Sequence, residues 1–467
     1  MLKIALIGAG SVVFAEDLIA DILAYDALKD CRIHLVDPDP RRLGVAAAMA
    51  RSINRVRGAG AKISASRTRQ AAIDGADVVI TTFGVGGFSA TRTDLELPAR
   101  FGVKQTIGDT LGIGGIFRSL RSLPVILDVC RDIERSAPGT LLINYVNPMA
   151  MHCLAVQRGT RVRSVGLCHG VRYTRGRLIL LARLAQMRPA AVRKLMDSWD
   201  PAEAGGSSFM DFYRECWLDT EYRTLCAGIN HMAAFLKFER NGRDQYPWVR
   251  KACDRPEIRK IEPVRLELFE RFGYFMTETS GHIAEYLPWF MARPEEIKRL
   301  AIRPNTYIAT CRRQLATFEA YARKARTGAE FIAPDRPPSI ENAPPILNAM
   351  ATNRPFEFNG NVANAAGRLI PNLPGDACVE VPCVADGMGV HPLAVGDLPP
   401  QIAAMIRTNF NVQDLVVRAV LEEHKEHVYH AAYLDPNLAA SLSLPRIRQL
   451  VDAMIAAHGR RLPGFLR

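Results

Sequence analysis

KIALIGAGS occupies residues 3–11, and HLVD stands at residues 34–37. The first is a short apolar run that ends in two glycines and opens an amphipathic stretch. Strand, glycine turn and helix in that order begin a dinucleotide-binding βαβ unit. Gly8 and Gly10 let the chain turn tightly and bring its backbone close to a pyrophosphate, which then rests at the N-terminus of the next helix beside Ser11. Val13 stands where the third glycine of the fingerprint belongs. Asp37 ends the second apolar run. A carboxylate there accepts hydrogen bonds from the adenosine ribose hydroxyls and repels a 2′-phosphate, so the expected cofactor is NAD rather than NADP.

Working outward, short apolar runs bounded by Gly, Asp and Asn are expected as strands at Lys3–Ile7, Arg32–Val36, 62–65, 77–81, 140–144 and 162–167. Helical patterns fill 12–28, 40–57, 115–135 and 149–157 between them. This alternation predicts an α/β fold with a Rossmann-like doubly wound parallel sheet. After about residue 190 the rhythm changes. Residues 224–240 read as apolar β structure ending at the turn pair Asn241–Gly242, and 377–384 as a further strand. Segments 258–272, 306–324, 398–424 and 444–457 read as helices, and the proline-rich 333–345 as a surface loop. The expected division is an NAD-binding Rossmann domain over 1–190 and a larger C-terminal α+β domain over 191–467. The second would supply most of the substrate site and the oligomer contacts, as in lactate and malate dehydrogenases.

Composition narrows the class. Of 467 residues, 48% are hydrophobic and 23% charged, which excludes disorder, collagen and coiled coil. Sixty Lys+Arg against 48 Asp+Glu give a net charge of +12. The basic residues come in ones and twos, as at Arg41–Arg42 and Arg460–Arg461, with no block interleaved with aromatics, so no nucleic-acid partner is expected. No apolar stretch reaches the ~20 residues of a membrane span. The opening MLKIALIGAG is too short and glycine-rich for a signal peptide. The ten cysteines are scattered without a CxxC pair, which argues against a disulfide framework and fits a reducing cytoplasm.

Several short segments carry groups suited to chemistry. TTFGVGG (81–87) follows the fourth strand, where glycines let a loop pass close to a cofactor, and places Thr81 there. NYVNP (144–148) offers the Asn144 and Asn147 amides to nicotinamide ribose or substrate hydroxyls, though turn formation alone also explains it. GLCHG (166–170) brings Cys168 and His169 to the same sheet edge, and GINHMAAF (228–235) holds His231 inside an apolar run. A thiolate and an imidazole from separate segments, with substrate oxygens and water, can hold a divalent metal with open positions. TETSGHIAEYLPWF (277–290) gathers Glu278, His282, Glu285 and Tyr286 beside aromatic rings that can stack on a sugar. Asp109 and Arg118, in IGDTLGIGGIFR, fall where a mobile substrate loop is expected. His424, His427 and His430 lie among Glu and Lys and read as a solvated helix face rather than a metal site.

Taken together, GAGS, HLVD, NPMA, CHG and GINH resemble glycoside hydrolase family 4, the NAD- and metal-dependent glycosidases. The likeness runs over nearly the whole chain. QTIGDTLGIGGIFRSLRSLP, LINYVNPMAM, CAGINHMAAF, FGYFMTETSGHIAEYLPWF, GDACVEVPCVAD and AAHGRRLPGF look most like its α-galactosidase branch. The resemblance implies redox-assisted elimination: NAD takes hydride from C3, a base removes the C2 proton, the aglycone leaves, water adds and the hydride returns. It implies Mn²⁺ or another divalent cation held by Cys168 and His231. It places His169 at the leaving oxygen or a hydroxyl, Asn147 and Asp109 on the substrate, and Gly8, Gly10, Ser11 and Asp37 at the cofactor. The C2 base falls within 277–286, with His282 expected first and Tyr286 second. A homodimer or homotetramer is implied as well.

Substrate choice stays open at this level. The α-galactosidase branch carries serine after its Cys-His pair, whereas Gly170 here resembles members acting on α-glucosides or uronic acids. Gly170 would open space beside the sugar, and Arg172 could pair with a carboxylate. The expected order is α-galactoside, then α-glucuronide or α-galacturonide, then α-glucoside, with 6-phosphosugars not expected. Two other classes compete. A lactate/malate-type dehydrogenase would explain the cofactor half but neither the length beyond residue ~330 nor the Cys168/His231 pair, and a nucleotide-sensing regulator would need an appended DNA-binding element.

Overall fold

β1 (Lys3–Ile7), β2 (Arg32–Val36), β3 (Lys62–Ser66), β4 (Val78–Thr81), β5 (Leu141–Asn144) and β6 (Arg163–Gly166) run parallel in the spatial order β3-β2-β1-β4-β5-β6. This is the doubly wound order, and its switch point lies between β1 and β4. The computed structural model describes residues 1–198 and 208–467 of the chain. β4 and β5 are buried along their whole length, which is why VVI and LLI run apolar up to Thr81 and Asn144 where an alternating pattern would mark a half-exposed strand. Helix Pro40–Val56 starts on Pro40, and the Asp39 carboxylate accepts the N–H groups of Arg41 and Arg42.

The helix expected over 12–28 is shorter, Ala15–Ile22, followed by a single 3₁₀ turn at Asp26–Leu28. The glycine turn runs on past Gly8, with Ser11 N–H bonded to Gly8 O at 3.0 Å, so helical geometry starts only after it.

The β structure expected over 224–240 consists of two antiparallel strands, β7 (Tyr222–Ala227) and β8 (Ala234–Arg240), joined by a turn at 228–233. With β9 (Arg243–Asp244) and β10 (Phe275–Met276) they form a small second sheet. The break has a local cause: Gly228 pairs with Glu380 through reciprocal backbone bonds of 3.0 and 2.8 Å, and His231 takes a left-handed φ of 65°. His231 therefore lies at the tip of a turn and not within an extended run.

β11 (Phe356–Ala363), β12 (Cys378–Asp386) and β13 (Gly389–Pro392) add antiparallel to β6, making a nine-stranded sheet. Strands from both sides of residue 190 thus share one sheet, and one apolar core runs through both. β11 reads poorly as a strand because Asn359-Gly360-Asn361 resembles a turn. Tertiary contacts override that preference, since buried Asn361 donates to Gly166 O and to Glu380 Oε1, each at 3.3 Å. Among the described residues no helix is long and apolar enough to cross a membrane.

Candidate active site

The glycine turn at the carboxyl end of β1 is built for close approach. Gly8 has φ +89°, and a Cβ there would meet the Phe83 backbone nitrogen at 2.5 Å. A Cβ on Gly10 would lie 2.7 Å from Asp37 Oδ2. Asp37 itself, 7% exposed, accepts the N–H groups of Gly10 and Asp39, both at 3.0 Å. Its carboxylate organises the turn, a role that the sequence does not announce. Thr81 and Asn144 meet each other: the Thr81 hydroxyl donates to Asn144 Oδ1 at 2.9 Å, and Asn144 Nδ2 donates to Val146 O at 3.1 Å. Both side chains are buried and tie the ends of β4 and β5, so the Asn144 amide is not the free group that the sequence suggests.

Three donors from three segments converge beside this sheet edge. Cys168 Sγ lies 3.4 Å from His231 Nε2 and 3.9 Å from Glu278 Oε1, and His231 Nε2 is 3.4 Å from that same oxygen. The three ligand atoms all lie within 4.8 Å of one another, and they are the one such cluster among the described residues. Burial and the charges of Glu278 and Glu380 push the Cys168 thiol well up. Burial also holds His231 down in its neutral form. Burial would raise Glu278, but the neighbouring His231 and His282 pull it below its ordinary value. A neutral imidazole, a carboxylate and a thiol awaiting a positive charge suit a divalent cation of borderline softness. His231 (φ 65°) and Glu278 (φ 69°) both occupy the left-handed region, which costs a non-glycine residue about 1–3 kcal/mol and is concentrated at functional sites. Glu278 is the ligand that the sequence does not single out. In sequence it is one acid among several, and only the fold turns it toward Cys168.

His282 stands next to this cluster, with Nδ1 3.5 Å from Glu278 Oε2 and Nε2 3.7 Å from Asp109 Oδ1. Burial lowers its pKa, but the Asp109 contact and the Glu278 charge outweigh that and push it up to about 9. Asp109 goes the other way. Burial would raise it, yet His282 and Arg118 hold it far below the usual carboxylate range. Asn147 Nδ2 donates to Asp109 Oδ2 at 3.3 Å, so both proposed substrate residues face the same space. Tyr286 stands against the same groups, its ring centroid 6.1 Å from that of His282. Its side chain is fully buried, with the hydroxyl 3.4 Å from His231 Nδ1, where it can orient the imidazole.

Gly170 does not open room for a sugar. A Cβ there would collide with Glu278 Oε1, so glycine at this position lets the Glu278 carboxylate reach Cys168. Arg172 commits its Nη1 to Ile340 O at 2.9 Å and lays its guanidinium over the Trp217 ring. His169, 43% exposed at its side chain, pairs through Nδ1 with buried Glu341 at 3.2 Å. Segment 333–342 brings Glu341 there as coil, and helix Ala343–Thr352 begins within the stretch expected to be loop. The rings of His424, His427 and His430 are neighbours at 4.6 and 5.9 Å, but their nitrogens do not converge on a common point as a metal site requires.

The family described as "Family 4 glycosyl hydrolase" matches residues 3–183, and "Family 4 glycosyl hydrolase C-terminal domain" matches 226–438. An α-galactosidase of Bacillus subtilis (strain 168) is 37% identical over 470 residues, covering 100% of both chains. An α-galactosidase of Rhizobium meliloti (strain 1021) is 32% identical, covering 99% of this chain and 89% of its own. Among solved structures, a 6-phospho-α-glucosidase from gut microorganisms in complex with NAD and Mn²⁺ superposes with a TM-score of 0.77 at 18% identity, covering 99% of each chain. At that identity the likeness speaks for the fold.

Proposed function

The chain belongs to family 4 of the glycosyl hydrolases, and we propose that it is an NAD- and divalent-cation-dependent α-galactosidase. The convergence of Cys168, His231 and Glu278 beside the Gly8 turn is the observation that carries the metal- and cofactor-assisted reading. Galactose as the sugar rests on the two full-length α-galactosidase relatives. The residues fit both groups: a Cβ-free turn at the end of β1 with Asp37 beside it for NAD, and a sulfur, nitrogen and oxygen donor set for Mn²⁺. In this reading residues 1–190 bind NAD and 191–467 supply His231, Glu278 and His282.

When bound, nicotinamide supplies a hydride acceptor for C3 of the sugar and the cation supplies a Lewis acid beside it, which together acidify C2. The protein's own groups then divide the remaining work. His282, which faces the cluster, takes the C2 proton, while Tyr286 orients His231. Asn147 and Asp109 hold sugar hydroxyls and fix the ring against His282. His169, the most open of these groups, hands a proton to the leaving oxygen and is held in place by Glu341. A cation held by Glu278 would offset one of the three anions, Asp109, Glu278 and Glu285, that raise His282, and so would favour the neutral form that a base needs.

Release of nitrophenol from the α-galactoside, α-glucoside, α-glucuronide and α-galacturonide tests the reading, each run with and without NAD⁺, Mn²⁺ and a thiol reductant. Turnover of the galactoside is expected to need all three additions and to leave no net NADH. NADH formed from a hydroxy acid, with no sugar cleaved, would overturn it. A second expected outcome concerns Asp37→Ala. Loss of a carboxylate that orders the Gly10 turn and meets the ribose should weaken NAD binding about 10- to 100-fold, the worth of a charge-assisted hydrogen bond. Fluorescence titration with NAD⁺ measures this, and an unchanged affinity removes Asp37 from the cofactor site.

A further inference from the structure

Loop 105–111 reads QTIGDTL and joins helix Gly87–Arg100 to helix Gly112–Ser136. It carries Asp109, and its start is fixed by Gln105, which donates to Asp94 O at 2.9 Å and accepts Gly114 N–H at 3.0 Å, whereas Gly108 at φ +61° leaves the middle free to turn. Yet Gln105, Thr106, Asp109 and Thr110 are each 6% exposed or less. What holds the 106–108 backbone comes from outside the loop. Glu285, the last residue of helix Ser280–Glu285, is 1% exposed. Its Oε2 accepts Thr106 N–H at 2.6 Å and Ile107 N–H at 3.1 Å, and its Oε1 accepts Gly108 N–H at 2.9 Å. Three consecutive backbone N–H groups on one carboxylate form an anion nest, with the side chain as the anion.

The next residue after the nest is Asp109, and it meets His282, which lies one helical turn before Glu285. One short helix therefore holds the loop with a carboxylate and faces it with an imidazole. Residues three apart on a helix lie on the same side, so the two contacts are geometrically linked. Burying a carboxylate is costly unless its oxygens are fully hydrogen-bonded, and here the loop backbone provides that.

We propose that Glu285 is a positioning residue: its nest with residues 106–108 sets the place of Asp109 opposite His282, and hence the substrate end of the site. This rests on the glycosidase reading above for what the loop positions, but the clamp itself can be read without turnover. Glu285→Gln preserves shape while turning one acceptor into an NH₂ group that faces backbone N–H donors.

Amide hydrogen exchange of the peptide spanning 103–111 in the full-length protein, compared with kcat, KM and NAD affinity, tests the proposal. In the wild type the 106–108 amides are expected to be protected. In Glu285→Gln they should exchange at least about tenfold faster, with the rest of the protein unchanged. The kcat on nitrophenyl α-galactoside should fall about 100-fold at unaltered NAD affinity, as expected when reacting groups move by about 1 Å. A purely structural role would lower thermal stability and leave kcat per active site intact. Glu285→Asp keeps the charge with a shorter reach, and both effects should be partial; it decides the matter if the Gln variant does not fold. Unprotected 106–108 amides in the wild type, equal exchange in the variants, or kcat within about twofold overturns the proposal. Absence of hydrolysis by the wild type would sink the glycosidase reading, and the exchange comparison would still decide whether the clamp exists.

Discussion

Cys168→Ser is expected to reduce α-galactoside hydrolysis by at least about 100-fold while leaving NAD affinity unchanged. Lewis-acid stabilisation of developing charge is worth several kcal/mol, and about 1.4 kcal/mol is a factor of ten in rate. A serine hydroxyl at this position offers neither the charge nor the softness of a thiolate, whereas His231 and Glu278 would remain in place. The other nine cysteines are buried, so Cys168 is the one thiol that a cleft ligand can reach among the described residues. Metal content after dialysis, NAD titration and nitrophenol release together measure the outcome. Full activity of the variant, or of metal-stripped wild type, would remove Cys168 and the cation from the mechanism.

His282→Ala has the second large expected effect, a loss of about 10²- to 10⁴-fold in kcat, the usual contribution of a general base. The diagnostic readout is exchange at C2. Product formed by the wild type in heavy water should carry deuterium at C2, and the Ala variant should lose that label incorporation along with turnover. Tyr286→Phe should behave differently. The Tyr286 hydroxyl touches His231 Nδ1, so in the reading with His282 as base its loss should weaken metal binding roughly 10- to 100-fold and spare C2 exchange at saturating Mn²⁺. If Tyr286→Phe loses exchange and His282→Ala retains it, the base is Tyr286.

The parallel half of the fold is plain in the sequence. Strands buried on both faces must be short apolar runs, and the glycine turn after KIALI admits few other backbones. β11 is not plain, because Asn359-Gly360-Asn361 is strand only where Gly166 O and Glu380 receive the Asn361 amide. The turn at 228–233 is hidden for the same reason: an apolar stretch looks extended until Gly228 pairs with Glu380 and bends it.

Sequence by itself determined the family likeness, the doubly wound order and the identities of Cys168, His169, His231 and His282 as groups with chemistry. Those follow from local patterns: apolar runs, glycines where the chain must turn, and reactive side chains at strand ends. Tertiary structure alone decided that Glu278 joins Cys168 and His231, that Gly170 is small to admit Glu278, and that the Tyr286 hydroxyl meets His231 Nδ1. It alone decided that Glu285 closes on the 106–108 backbone. The physical reason is range. A strand or a glycine turn is encoded within a few residues, whereas a donor cluster needs atoms 63 and 110 residues apart in sequence to meet, and their convergence is a property of the packed core rather than of any segment within it.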